Sequence, residues 1–160
     1  MNVEHLIDGW EAAWSSKDPA AFTPVCAQRV HYEDPTTPEP LEDLEALVAH
    51  AERLWAAFPD ARLERTGERL FNERFLAAPS KLLGTHRAPL AGLPPTNRFV
   101  VVHCILYAEV AHGRLLRVRA FFDLYNAATQ LGVLPAHGTL GERALLVLRG
   151  FGLRVGRGGE

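Results

Sequence analysis

The spacing of apolar residues changes near residue 60, and this change constrains the fold more than any other feature. Before it, apolar side chains recur at helical spacing, as in the stripe Val3, Leu6, Ile7, Trp10 and Trp14. After it, apolar and polar residues alternate up to about residue 123, which is typical of strands with one buried face. Helices followed by a run of strands predict an α+β domain whose helices cover one face of an antiparallel sheet.

Turn and capping residues give the predicted elements their limits. The N-cap residue Asp18 and the turn Ala111-His112-Gly113 are examples of these signals. Helices are predicted over 3–15, 19–27, about 41–57, 124–131 and about 139–149. Strands are predicted over Arg29–Glu33, Ala61–Phe71, Arg74–His86, Arg98–Val110 and Leu115–Phe122. Such a sheet is expected to curve strongly into a half-open cone, with the N-terminal helices on its concave face and an apolar pocket at the mouth.

Length and composition limit the class of protein. The chain has 160 residues, of which 48% are hydrophobic, so it can bury one core of ordinary size. No apolar run approaches the roughly 20 residues of a membrane helix, and the acidic N-terminus lacks the features of a signal peptide. Cys26 and Cys104 lie far apart without metal-ligand spacing, which predicts reduced thiols in a cytoplasmic protein.

Charge divides between the two halves of the chain. Residues 1–60 carry 12 acidic and 3 basic side chains, whereas residues 61–160 carry 7 acidic and 14 basic ones. A basic half can indicate nucleic-acid binding. Here Arg62, Arg65, Arg69 and Arg74 are spread among apolar residues, as on a solvated sheet face, and no lysine cluster accompanies them. We therefore expect no nucleic-acid partner.

Six short motifs occur in an order that resembles the SnoaL-like polyketide cyclases. They are His31-Tyr32-Glu33-Asp34-Pro35, Phe58-Pro59-Asp60, Gly84-Thr85-His86, Gly92-Leu93-Pro94-Pro95-Thr96, His112-Gly113-Arg114-Leu115 and Gln130-Leu131-Gly132-Val133-Leu134-Pro135. The resemblance runs from about residue 3 to residue 135. It predicts a cone domain over residues 1–135 and leaves 136–160 as a C-terminal extension with one helix and a flexible tail. It implies the cone fold shared with nuclear transport factor two, steroid Δ-isomerase and scytalone dehydratase.

The resemblance also implies a reaction, a catalytic group and a quaternary structure. The family closes a polyketide ring by an intramolecular aldol reaction without a cofactor, and its acid/base aspartate matches Asp123. Family members form homodimers or higher homo-oligomers through their sheets. Before this aspartate, typical members have an acidic and aromatic pattern, whereas this chain has Arg117-Val118-Arg119.

Asp123 is the main catalytic candidate. It lies between Phe122 and Leu124, and an apolar pocket raises the pKa of a carboxyl group toward the value that acid/base catalysis needs. Two other interpretations remain open. Asp123 is also suited to be the N-cap of the helix 124–131, and its carboxylate could instead pair with Arg119.

The other candidates are expected around Asp123. His103 is either a donor in the pocket or a core histidine, because alternation in the strand leaves its face undetermined. His86 either faces the pocket or ties down its loop, and Asp34, near His31, is also suited to be a turn residue. The predicted substrate-binding residues are Trp10, Trp14, His31, Trp55, Phe58, His86, Arg119 and Phe121, and the aromatic ones among them could equally be core.

Other chemistry lacks its motifs. No histidine pair has metal-ligand spacing, no Gly-rich phosphate loop follows a strand, and no GxSxG occurs, so neither a metal nor another cofactor is expected. Three hypotheses remain. The first is a cofactor-free cyclase or isomerase-type enzyme acting on a small apolar carbonyl compound. The second is a non-catalytic protein that binds a lipophilic small molecule, and the third is an interaction domain with a vestigial pocket. The position of Asp123 relative to the pocket distinguishes the first two.

Overall fold

The computed structural model describes residues 3–149 as one α+β unit. The expected tail at 150–160 lies outside the described residues. A 3₁₀ helix covers Pro19–Phe22. The α-helices are α1 (Glu4–Ser16), α2 (Leu44–Ala57), α3 (Leu124–Gln130) and α4 (Leu140–Leu148). The strands are β1 (Cys26–Glu33), β2 (Arg62–Arg65), β3 (Leu70–Phe71), β4 (Phe75–Thr85), β5 (Phe99–Ala111) and β6 (Arg114–Phe122).

The strands form one curled, mixed sheet in the order β1-β6-β5-β4-β2, with β3 also paired to β4. Four of the five pairings are antiparallel, and β1 runs parallel to β6, with a register shift between Cys26 and His31. Between β5 and β6, His112 and Gly113 have φ of 49° and 73°, the left-handed pair that a tight hairpin turn requires. The predicted α+β cone is confirmed, with the parallel pairing of β1 as the one difference from a purely antiparallel sheet.

Two predicted elements are divided or shortened in the structure. The strand expected over Ala61–Phe71 is two strands, β2 and β3, separated by a bend at Gly67, and after this bend Arg69 turns its side chain toward α1. There its guanidinium contacts Asp8 at 2.6 Å and Glu11 at 2.8 Å. The helix expected over 19–27 ends at Phe22, since β1 already begins at Cys26. The Arg69 cluster also shows how an acidic helix faces a basic strand segment, which accounts for part of the charge division.

The core lies between the two long helices and the concave face of the sheet. Its centre is an aromatic cluster in which the rings of Trp10, Trp14, Phe22 and Trp55 contact each other edge to face or stacked, at centroid distances of 5.6–6.1 Å. The Trp55 indole N–H donates to the Trp14 carbonyl oxygen at 3.1 Å, which joins α2 to α1. Both helices are thereby fixed above the sheet, and the space between them and the sheet is the cavity described next.

Candidate ligand-binding cavity

A partly enclosed cavity of about 160 Å³ lies between the helices and the concave face of the sheet. Its wall is almost wholly apolar. The three tryptophans of the sequence, Trp10, Trp14 and Trp55, contribute to it together with Phe58. From the sheet, the inward-facing residues Val102, Leu106, Ala120 and Phe122 complete the wall. This arrangement suits a lipophilic ligand of about the size of a ring system.

Asp34 is the only charged side chain among the described residues that line this cavity. Its side chain is 1% exposed. The Tyr32 hydroxyl donates to Asp34 Oδ2 at 2.7 Å, and His50 Nε2 lies 2.8 Å from the same oxygen. The Thr36 backbone N–H and hydroxyl both donate to Oδ1 at 2.6 Å. Four hydrogen bonds therefore surround one buried carboxylate at the end of β1.

These hydrogen bonds determine the ionisation of Asp34. Burial by itself raises the pKa of the carboxyl group, but the hydrogen bonds from His50, Thr36 and Tyr32 outweigh it and lower the pKa to about 2. Burial and the adjacent Asp34 carboxylate raise the pKa of Tyr32 well above its usual value, so the phenol stays protonated and remains a donor. The wall thus carries a fixed anion that is a weak base at neutral pH.

His50 was not among the residues selected from the sequence. It lies on α2 three residues after Leu47 and one before Ala51, both of which are completely buried, and its own exposure is 5%. The sequence signal that could have identified it is a histidine within the apolar, buried stripe of a helix. Arg53 Nη2 lies 3.4 Å from His50 Nδ1, which makes Nδ1 the acceptor and leaves Nε2 to donate to Asp34.

Two further polar groups face the cavity from the strands. Ser80 Oγ lies 3.0 Å from Cys104 Sγ, across the pairing of β4 with β5. Burial raises the pKa of Cys104, so this thiol is a weak nucleophile. On the helical side, the Trp14 indole N–H has no acceptor among residues 3–149. The polar part of the wall is therefore small and consists mainly of hydroxyl groups around one anion.

Asp123 does not line the cavity. It is exposed and is the N-cap of α3, where its Oδ1 accepts a hydrogen bond from the Asn126 backbone N–H at 2.8 Å. Both of its neighbours, Phe122 and Leu124, do line the cavity. The capping interpretation is therefore the one that the geometry supports. Arg119 is not its partner, since the Arg119 guanidinium pairs with Glu33.

His103, Arg119 and Phe121 lie on the outer face of the sheet, which corrects their placement in the pocket. Alternation along β5 turns Val102, Leu106 and Ala108 inward, so His103 between them is exposed on the other side. His103 and Asp123 both border a shallow groove on that outer face. The sequence left the face of His103 open.

His31 and His86 also lie outside the cavity wall. Tyr32 points inward, so His31 points outward, where its Nδ1 is 3.3 Å from a Glu42 carboxylate oxygen. His86 is completely buried, and its Nδ1 accepts the Thr96 backbone N–H at 3.2 Å. The loop-tying interpretation of His86 therefore has direct support in the structure.

No cluster of three or more metal-ligating side chains occurs within residues 3–149. Over the same residues, no helix combines the length and the apolar character that crossing a membrane requires. Both cysteines, Cys26 and Cys104, are free thiols.

Comparison with known proteins gives the family and the fold. The model of a family described as SnoaL-like polyketide cyclase matches residues 4–131. TsrD from Streptomyces laurentii is 22% identical, with a TM-score of 0.73 over 82% of this chain and 96% of that one. IdmH from Streptomyces antibioticus, a proposed polyketide cyclase, is 23% identical, with a TM-score of 0.72 over 83% and 100%. AclR from Streptomyces galilaeus, a proposed hydroxylase, is 20% identical, with a TM-score of 0.71 over 82% and 96%. No curated protein matches the sequence.

Proposed function

Because the chain belongs to the SnoaL-like polyketide cyclase family, we propose that its cavity binds a small apolar carbonyl compound and turns it over without a cofactor. The reaction is a cyclisation or isomerisation that begins with removal of a proton from carbon next to the carbonyl group. The observation that carries this proposal is the cavity itself, with its aromatic wall and its few polar groups at Tyr32, Thr36 and Ser80.

The size of the cavity supports a ring-sized ligand. Apolar cavities of about 150 Å³ hold benzene and stay dry without a ligand, and this one is about 160 Å³. The wall offers flat aromatic surfaces at Trp10, Trp14 and Trp55, which favour an aromatic or alicyclic ligand. The Ser80 hydroxyl, which is not bonded to Asp34, would orient a carbonyl oxygen, because an acceptor inside an apolar site needs a donor.

Two carboxyl groups are candidates for the acid/base. Asp34 lines the cavity, but a pKa of about 2 makes it a poor acceptor for a proton from carbon. Asp123 matches the family position, and its flanking residues line the cavity. Its carboxylate reaches the ligand only by leaving the Asn126 N–H, which costs about 1 kcal/mol, the usual contribution of an N-cap. We propose Asp123 as the acid/base on this basis.

The test uses 2-tetralone, a bicyclic ketone with acidic α-protons, as a probe in D₂O. Exchange of its α-protons, followed by NMR, reports proton abstraction without knowledge of the natural substrate. The key variant is Asp123→Asn, because asparagine is as good an N-cap as aspartate and α3 is therefore preserved. Asp43→Asn is the matched control, since Asp43 caps α2 with an exposed side chain.

We expect the wild type and Asp43→Asn to accelerate exchange equally, and Asp123→Asn to reduce the rate to that of the buffer. Tryptophan fluorescence in the same samples measures binding of the probe. Full activity of Asp123→Asn would eliminate Asp123 as the acid/base.

Non-catalytic binding of a lipophilic ligand is the second candidate function. It is favoured by the use of Asp123 as a cap and by the ionised state of Asp34, which leave no carboxyl group with a raised pKa in the described wall. In that case 2-tetralone binds and changes tryptophan fluorescence, while its α-protons exchange no faster than in buffer. Failure of this probe and of neutral aromatic hydrocarbons to bind would leave the interaction-domain hypothesis.

We further propose a homodimer that forms through the outer face of the sheet, in the cytoplasm. Three large apolar side chains lie about half exposed on this face, Ile105 at 49%, Tyr107 at 41% and Phe121 at 54%. The free cysteines are consistent with a reducing compartment. Light scattering should give a dimer mass for the wild type and a monomer mass for Phe121→Glu. Leu140→Glu, at an 81% exposed position on α4, should remain dimeric. A monomeric wild type would refute the proposal.

A further inference from the structure

We infer that Gln130 is a positioning residue that holds α3 over the cavity, and that release of its side chain from Val101 opens the cavity to ligand. The placement of α3 in the cavity wall is observed. Only the statement that a ligand enters there rests on the proposed function. The inference concerns access to the cavity, and it therefore applies to an enzyme and to a binding protein alike.

Gln130 replaces a missing strand partner. The pairing of β5 with β6 ends at Cys104 opposite Phe122, while Val101 remains paired with Leu83 of β4 on its other side. The Gln130 side chain binds the unpaired edge of β5 at Val101. Its Oε1 accepts the Val101 backbone N–H at 2.8 Å, and its Nε2 donates to the Val101 carbonyl oxygen at 2.8 Å. One amide side chain thus satisfies both backbone groups of a strand residue, as a neighbouring strand would.

Neighbouring contacts hold the amide in this orientation. Gln130 Nε2 also donates to Asn126 Oδ1 at 2.9 Å, one helical turn earlier. Arg98 Nη1 donates to the Gln130 carbonyl oxygen at 3.3 Å. These contacts assign donor and acceptor uniquely, since only the Nε2 group can donate to both oxygens. The end of α3 is therefore attached to the strand through its last residue.

The end of α3 is shaped for this attachment. Gly132 has φ of +79°, and the Val133 N–H donates to the Ala128 carbonyl oxygen at 2.8 Å, which closes the helix in a Schellman motif. A Cβ atom at position 132 would lie 2.8 Å from Arg98 Nη1. The sequence Gln130-Leu131-Gly132 therefore combines the attachment to β5, a cavity-lining leucine and the residue that allows Arg98 to approach.

The helix itself is a thin wall between the cavity and solvent. Leu124, Ala127 and Leu131 line the cavity, yet none of the residues of α3 is buried and Leu124 is 45% exposed. A helix of 7 residues is marginal alone, so its position depends on its attachments. With so little buried apolar surface, the two hydrogen bonds to Val101 are a large part of what keeps α3 in place over the cavity.

The experiment needs no ligand, because all three tryptophans line the cavity. Acrylamide quenching of their fluorescence therefore measures access to it, and hydrogen exchange of the Val101 amide measures release of Gln130. Gln130→Ala removes both hydrogen bonds, and Gln130→Glu keeps the acceptor but places a carboxylate against the Val101 carbonyl. Gln28→Ala is the matched control, since Gln28 is the other glutamine of the chain and is exposed on β1.

We expect both Gln130 variants to exchange the Val101 amide about tenfold faster and to be quenched more strongly than the wild type, as loss of one to two hydrogen bonds predicts. Gln28→Ala should match the wild type in both measurements. Unchanged exchange at Val101 would overturn the attachment. Faster exchange with unchanged quenching would overturn the opening of the cavity. Neither measurement depends on turnover of 2-tetralone, so failure of the proposed reaction is distinguishable from failure of this inference. If Gln130→Ala does not fold, Gln130→Glu decides alone.

Discussion

The buried carboxylate of Asp34 gives the most direct quantitative prediction, which is a pH-dependent loss of stability in Asp34→Asn. In the wild type, the anion accepts hydrogen bonds from Tyr32, His50 and Thr36. Asparagine removes the charge and presents an NH₂ group where the wild type has only acceptor oxygens. At least one of these donors then loses its partner, beside a side chain that is only 1% exposed.

The magnitude follows from the pKa of the group. The folded state lowers the pKa of Asp34 from 3.8 to about 2, a difference of nearly two units. Each unit corresponds to 1.36 kcal/mol, so the ionised carboxylate stabilises the fold by about 2 kcal/mol at neutral pH. Because the folded-state pKa is depressed, this stabilisation is fully present above pH 4 and is lost as the pH falls through 2. About half of it remains at pH 3.

The assay is urea unfolding followed by tryptophan fluorescence at pH 7, 5, 4 and 3. Asp34→Asn should lose at least about 2 kcal/mol of unfolding free energy at pH 7, and the difference from the wild type should narrow below pH 4. Asp43→Asn, an exposed cap, is the control and should differ little at any pH. Parallel pH profiles for wild type and Asp34→Asn between pH 5 and 3 would refute the reasoning, because the carboxylate would then not be held as an anion.

Three further substitutions test other parts of the structure by the same unfolding measurement at pH 7. Gly132→Ala should cost about 1–2 kcal/mol, because the residue has φ of +79° and its Cβ would contact the Arg98 guanidinium; no loss would contradict this packing. Arg69→Met should cost about 2 kcal/mol, since removal of the 6% exposed guanidinium leaves Glu11 and Asp8 without their partner, and the loss should be smaller in a Glu11→Gln background if the pairing with Glu11 contributes to it. Trp55→Phe should cost about 1–3 kcal/mol through the lost indole hydrogen bond and ring volume, and a neutral result would exclude a role for that bond.

The sequence predicted the architecture well because periodicity is a property of consecutive residues. The helical stripe that contains Trp10 and Trp14 and the alternation through β4, β5 and β6 both survive in the structure as buried faces. The exceptions have tertiary causes. The predicted strand over Ala61–Phe71 bends at Gly67, after which Arg69 contacts Asp8 on α1, and β1 joins β6 in parallel through contacts that no local pattern contains.

The sequence could not predict on which face of the sheet each candidate residue lies. Along β5 the two faces alternate, and both carry apolar residues, since Ile105 and Tyr107 are exposed while Val102 and Leu106 are buried. The pattern therefore could not show that His103 faces outward. For Asp123 the sequence offered a cap, a catalytic group and an ion pair as alternatives, and only the structure shows that its carboxylate accepts the Asn126 backbone N–H.

The motifs that carry the family resemblance act mainly as structural attachments, and this explains why they predict the fold better than the reaction. Thr85 donates to Asp60 through its backbone N–H at 2.6 Å and through its hydroxyl at 2.7 Å, and His86 accepts the backbone N–H of Thr96. Hydrogen bonds therefore join the motif that ends at Asp60, the Gly-Thr-His motif and the motif that ends at Thr96.

In the same way, Gln130 attaches α3 to β5. Most of the cavity wall, in contrast, is made by residues such as Trp55, Val102 and Ala120, which lie outside these motifs, although a few motif residues, among them Asp34 and Phe58, also line it. Changes in the wall can therefore alter the ligand while the motifs keep the cone intact, and an activity assigned to this chain has to be tested at the cavity rather than read from the motifs.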